Sequence, residues 1–180
     1  METTDIQNGV VAIDRQVSGV VQNIRSLDAR IEDLYSKAVY NDNMYYMTIS
    51  SVSSDDENYD MVVSQAEQYA ANARACRDLA AESEAALGEQ KGILRGYSPQ
   101  YERFLDACVD NISNISAAIE KLMAVANSKY GGGAADALKA ARQKLAINKQ
   151  YHDGCLSRLS SIDDICGSSG TPRSRVLRKR

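Results

Sequence analysis

From residue 6 to residue 38 the chain sets an apolar side chain at every third or fourth position: Ile6, Val10, Ile13, Val17, Val20, Ile24, Leu27, Ile31, Leu34 and Ala38. The alternation of fours and threes is the a/d spacing of a coiled-coil seam, held for more than four heptads. Successive residues of a strand face opposite ways, so this period suits only a helix with one greasy edge. A helix over 4–40 would be about 55 Å long, and a rod of that length needs partners along its stripe to persist in water.

The punctuation predicts three more such segments. Thr4 and Gln7 read as a capping box for the first helix, and Asn41-Asp42-Asn43 as its stop. Met44 to Ser54 then reads as a connection, and Ser54-Asp55-Asp56-Glu57 as the capping box of a second helix over 55–87. That helix has a seam of small residues: Val62, Ala66, Tyr69, Ala73, Cys76, Ala80, Ser83 and Leu87. Gly88, Gly92 and Gly96 interrupt, and Ser98-Pro99 restarts the chain with serine at the cap and proline at the first helical position. The third seam, within 99–129, is Tyr101, Leu105, Cys108, Ile112, Ile115, Ile119, Leu122 and Ala126. Gly131-Gly132-Gly133 turns the chain into a fourth helix over 134–166, with seam Leu138, Ala141, Leu145, Asn148, His152, Cys155, Leu159, Ile162 and Cys166.

The expected fold is therefore all-α: an antiparallel four-helix bundle of long heptad-patterned helices over residues 1–170, followed by a basic C-terminal arm, 171–180. The bundle is expected either to close on itself or to open and exchange helices with neighbours in an oligomer. Two prolines, one phenylalanine and no tryptophan among 180 residues do not suit a sandwich. No apolar run reaches the roughly 18 to 20 residues of a membrane span, and METTDIQNG has no signal-peptide character. A cytoplasmic or intracellular assembly is the resulting expectation.

Little in the sequence suggests catalysis. His152 is the sole histidine, so the paired Glu-x-x-His elements of a di-iron bundle cannot be built. Cys76, Cys108, Cys155 and Cys166 form no Cys-x-x-Cys pair and read as buried free thiols. No phosphate-binding loop or dinucleotide fingerprint is present. Asn111 and Asn114 begin glycosylation sequons, but both lie inside the third seam and read as helix surface. No cofactor, metal or catalytic residue is expected, and the protein reads as a non-enzyme.

Three groups of residues remain as candidates. Tyr35, Tyr40, Met44, Tyr45, Tyr46, Met47 and Tyr59 cluster around the first connection and suit a protein contact, because such side chains give large contact area at low entropic cost. Asn148 and His152 form a polar layer in an apolar stripe, the kind of feature that sets register and partner choice. Arg173, Arg175, Arg178, Lys179 and Arg180 give the arm five cations and no acid, leaving the preceding 170 residues at −8. An arm of that charge suits nucleic-acid phosphate, an acidic lipid surface or an acidic neighbour. The functional expectation is a structural or protein–protein interaction subunit of a larger assembly, with itself or other proteins as partners. The alternatives are a nucleic-acid-associated packaging or capsid-like protein using the arm, and a peripheral membrane scaffold.

Overall fold

The computed structural model describes residues 1–128 and 132–167. It is all-α, with α1 at Thr3–Ile49, α2 at Tyr59–Arg95, α3 at Ser98–Ala126 and α4 at Ala134–Gly167. Every seam residue named above is buried or half-buried, none exposed, so the apolar period does mark the packed face of each helix. Among the described residues no helix is long and apolar enough to cross a membrane.

Two of the expected breaks do not form. At Asn41-Asp42-Asn43 the helix continues, because Asn41 Nδ2 donates back to the Lys37 carbonyl at 2.8 Å and Asp42 pairs with Arg77 of α2. Asparagine costs a helix only about 0.7 kcal/mol relative to alanine, which these bonds offset. The helix stops at Ile49 instead, where the Ser51 hydroxyl donates to the Thr48 carbonyl at 2.7 Å. The first part of the expected connection, Met44 to Ile49, is thus the end of α1, while residues 50–54 do lie between the helices.

The second capping signal sits one residue earlier than expected and precedes α2 without starting it. Asp56 Oδ2 accepts from the Ser53 backbone N–H at 2.7 Å while the Asp56 N–H donates to the Ser53 carbonyl at 3.0 Å. Gly88 and Gly92 lie inside α2, which runs on to Arg95. Its real limit is Pro99, whose ring would clash with the carbonyl four residues back, that of Arg95. Tyr97, not Ser98, is the N-cap of α3; its backbone is in the αR region and no side chain caps the helix.

The chain divides into two compact units. The first comprises Met1–Gly19 and Gly92 onward, and is a three-helix arrangement of the start of α1 with α3 and α4. Bonds pairing Asp14 with Tyr101 and Gln16 with Tyr97 make α1 antiparallel to α3, while Thr3 with Asn148 and Asp14 with Arg158 make it parallel to α4. Its core is Ile6, Val10, Ile13, Leu94, Tyr101, Cys108, Cys155, Ile162 and Cys166. Burying an aliphatic side chain of this size contributes about 1.5 to 3 kcal/mol. Gly9 belongs to this core by having no side chain, since a methyl there would overlap the Phe104 ring. Arg95 Nη2 ties the end of α2 to α4 by donating to the Cys166 carbonyl at 3.1 Å.

The second unit, Val20–Lys91, is an antiparallel hairpin of the rest of α1 and most of α2. Asn23 with Gln90, Tyr35 with Glu84 and Asp42 with Arg77 fix its register. Its buried residues are Ile24, Leu34, Ala38, Ala66, Ala73, Ala80 and Ser83. Alanines let the two backbones approach but bury little area, so Leu27, Ile31, Val62, Tyr69 and Leu87 are left half-buried. The expectation of four packed helices in one bundle is met in class and helix number. The packing within each unit differs: the first holds the start of α1 and the last turn of α2 with the whole of α3 and α4, and the second holds the rest of α1 and α2.

Candidate interaction surface and the buried polar layers

The residues expected as a protein contact divide on inspection. Tyr35 is half-buried and its hydroxyl donates to Glu84 Oε1 at 2.9 Å, so it braces the hairpin. Met44 and Tyr45 are half-buried, and Tyr45 meets Tyr46 edge to face with ring centroids 5.3 Å apart. Tyr40, Tyr46, Met47 and Tyr59 are exposed. Met61, which sequence reasoning passed over, joins them. Met47 at 68 %, Tyr46 and Met61 at 65 % and Tyr40 at 60 % are the four most exposed large apolar side chains among the described residues. Such side chains scattered singly are ordinary; four within 22 positions around one hairpin connection form a group.

The surroundings of this group carry one sign of charge. Residues 38–73 contain Asp42, Asp55, Asp56, Glu57, Asp60 and Glu67 and not one lysine or arginine. Asp42 is engaged by Arg77. Among the described residues the other five carboxylates form no ion pair and are exposed.

In the three-helix unit, the expected polar layer is present at Asn148 but has other members. Asn148 is 1 % exposed. Its Nδ2 donates to Thr3 Oγ1 at 3.1 Å and the Lys144 carbonyl at 2.8 Å, and its Oδ1 accepts from Asn111 Nδ2 at 3.1 Å. This amide therefore links α1, α3 and α4. His152 does not join it: the ring is half-buried, with Nδ1 3.0 Å from Asp153 Oδ1, beside a shallow groove lined by Val109, Ile112, Ser113 and Lys149. Asn111, the first sequon asparagine, is thus a packing residue.

A second layer, about three helical turns along, was not foreseen. Asp14 accepts a forked pair of bonds from Arg158, Nε to Oδ1 and Nη2 to Oδ2, both 2.7 Å, and a third from the Tyr101 hydroxyl at 2.7 Å. The guanidinium holds the Asp14 carboxyl below its ordinary range, against an opposing contribution from burial. Burial first, then the bond to Asp14, raises the Tyr101 hydroxyl. Gly154 makes room for the Arg158 side chain, since a methyl there would lie 2.6 Å from Nη1. Burial also pushes the Cys108 thiol up to about 11 and raises Cys155, so both are kept as unreactive thiols at neutral pH. The layer clamps three helices; its groups are occupied with one another. Among the described residues, no three His, Cys, Asp or Glu side chains form a group suited to a metal ion. Asp14 and Arg158 flank seam residues Ile13 and Leu159, and opposite charges beside facing seams were the available signal.

The basic arm, Arg173, Arg175, Arg178, Lys179 and Arg180, lies outside the described residues. No family model, curated protein or solved structure matches the chain.

Proposed function

We propose that this chain is a non-enzymatic structural subunit that contacts other proteins, copies of itself included, through the exposed end of the α1–α2 hairpin. The observation that carries this reading is the concentration of the four most exposed apolar side chains, Tyr40, Tyr46, Met47 and Met61, around one connection. Leaving such surface in water is unfavourable by about 25 cal/mol per Å², and covering it with a partner recovers that. The thin alanine core of the hairpin supports the same reading, because its half-buried stripe of Leu27, Ile31, Val62, Tyr69 and Leu87 suits further packing. In the assembled state the heptad-spaced seams would be shared, as an antiparallel coiled-coil bundle opened or exchanged between chains.

The test is the triple variant Tyr46→Ser, Met47→Ser, Met61→Ser, which alters exposed positions and leaves the core intact. Light scattering of the full chain should give a mass above the single-chain 19.7 kDa, falling toward it in the variant. A wild-type chain that stays single at all attainable concentrations contradicts the self-assembly reading.

A further inference from the structure

We propose that the acidic, tyrosine-rich hairpin end of one chain receives the arginine-rich segment 168–180 of a second copy. The proposal rests on the reading of that end as a contact surface, and names its occupant.

Three observations converge on it. The first is charge: five exposed carboxylates, Asp55, Asp56, Glu57, Asp60 and Glu67, stand in a stretch without a cation, and thirteen residues following α4 carry five cations without an acid. The second is chemistry. Four of those five cations are arginine, whose planar fork binds carboxylates in pairs and stacks on tyrosine faces, as lysine does less well. Tyr40, Tyr46 and Tyr59 offer such faces within the same acidic stretch. The third is the apolar pair Val176-Leu177, set between Arg175 and Arg178, which matches exposed Met47 and Met61. Nucleic-acid phosphate would satisfy the arginines alone; this surface satisfies the arginines and the apolar pair together. Contact between copies sets two bodies of −8 against each other, and an arm of opposite sign laid on the neighbour offsets that repulsion.

The experiment is a charge exchange in the full-length chain, read as mass and association constant by light scattering at low and high salt. One variant carries Arg173→Glu, Arg175→Glu and Arg178→Glu. Another carries Asp55→Lys, Glu57→Lys and Asp60→Lys, sparing Asp56 for its turn. Each alone should weaken association by at least about tenfold, and combining them should restore it to within about threefold, because opposite signs again face each other. Wild-type association should also weaken as salt rises. The proposal is overturned if the combined variant associates no better than either parent, if neither reversal matters, or if wild type remains a single chain. Loss of association in the Tyr46, Met47, Met61 variant with both reversals silent would leave the contact surface standing and remove the arm as its occupant. An arm reversal that spares the mass but abolishes binding to a single-stranded DNA probe would assign the arm to phosphate and refute the proposal.

Discussion

Replacing Asp14 by alanine removes the acceptor of three hydrogen bonds at once, and the structure sets how much this should cost. Exposed ion pairs contribute about 0.2 to 1 kcal/mol, whereas breaking a buried one costs about 3 to 5. The Arg158 and Asp14 side chains are 33 % and 36 % exposed, so solvent screening discounts the pair well below the buried limit. Its forked geometry places it above a simple surface pair. An interaction of about 1.5 kcal/mol between Asp14 and Arg158 follows, measured as the coupling in a double-mutant cycle of Asp14→Ala and Arg158→Ala. Asp14→Ala alone should cost about 2 kcal/mol, because it also leaves the buried Tyr101 hydroxyl without its acceptor. The assay is urea unfolding followed by helical circular dichroism. The pH dependence has a definite sign. The folded carboxyl lies below its ordinary 3.8, so its contribution is complete above that value and is lost as pH falls through the lower folded value. The gap between wild type and Asp14→Ala should hold steady from about pH 5 to 8 and narrow below about pH 4. A coupling under about 0.3 kcal/mol, or a gap that widens in acid, refutes the reasoning.

Other outcomes follow from the same packing. Gly19→Ala should stabilise α1 by up to about 1 kcal/mol because the added methyl meets nothing within 4 Å, whereas Gly9→Ala should destabilise through overlap with Phe104; thermal melts compare the two. Gly154→Ala should shrink the Asp14–Arg158 coupling, since the methyl crowds the guanidinium. In native protein at pH 8, with Cys108 near 11, only about one in a thousand of its thiols is ionised. Iodoacetamide followed by mass spectrometry should therefore label half-buried Cys76 first, with Cys108 and Cys155 reacting only on unfolding.

The helical class and the packed face of each helix were legible because periodic burial is written directly in residue type, and Ile6, Ala73, Cys108 and Ile162 lie where their spacing puts them. Helix ends were less legible, because local stop signals lost to tertiary bonds. Asn41 to Asn43 would end an isolated helix, but Arg77, 35 positions away, holds Asp42 in place. The division into a three-helix unit and a hairpin was hidden for the same reason: spacing says which face is buried and not against what. Of the polar layers, Asn148 stood out as an amide in a greasy stripe. Its partners Asn111 and Thr3, and the Asp14, Tyr101 and Arg158 clamp, did not, since polar residues flanking a seam look like solvated surface until the helices are aligned. The tyrosine cluster was legible as a group; that Tyr35 is a brace and Met61 a member needed the hairpin register.

The hairpin end as a contact surface is tested most directly by methionine oxidation of the full-length protein across a concentration series, with Met123 on α3 as the exposed internal reference. The account predicts that Met47 and Met61 oxidise as readily as Met123 when dilute and become protected as concentration and mass rise together. Equal, concentration-independent oxidation of all three in a sample that does associate would show that assembly leaves the hairpin end bare, and would contradict it.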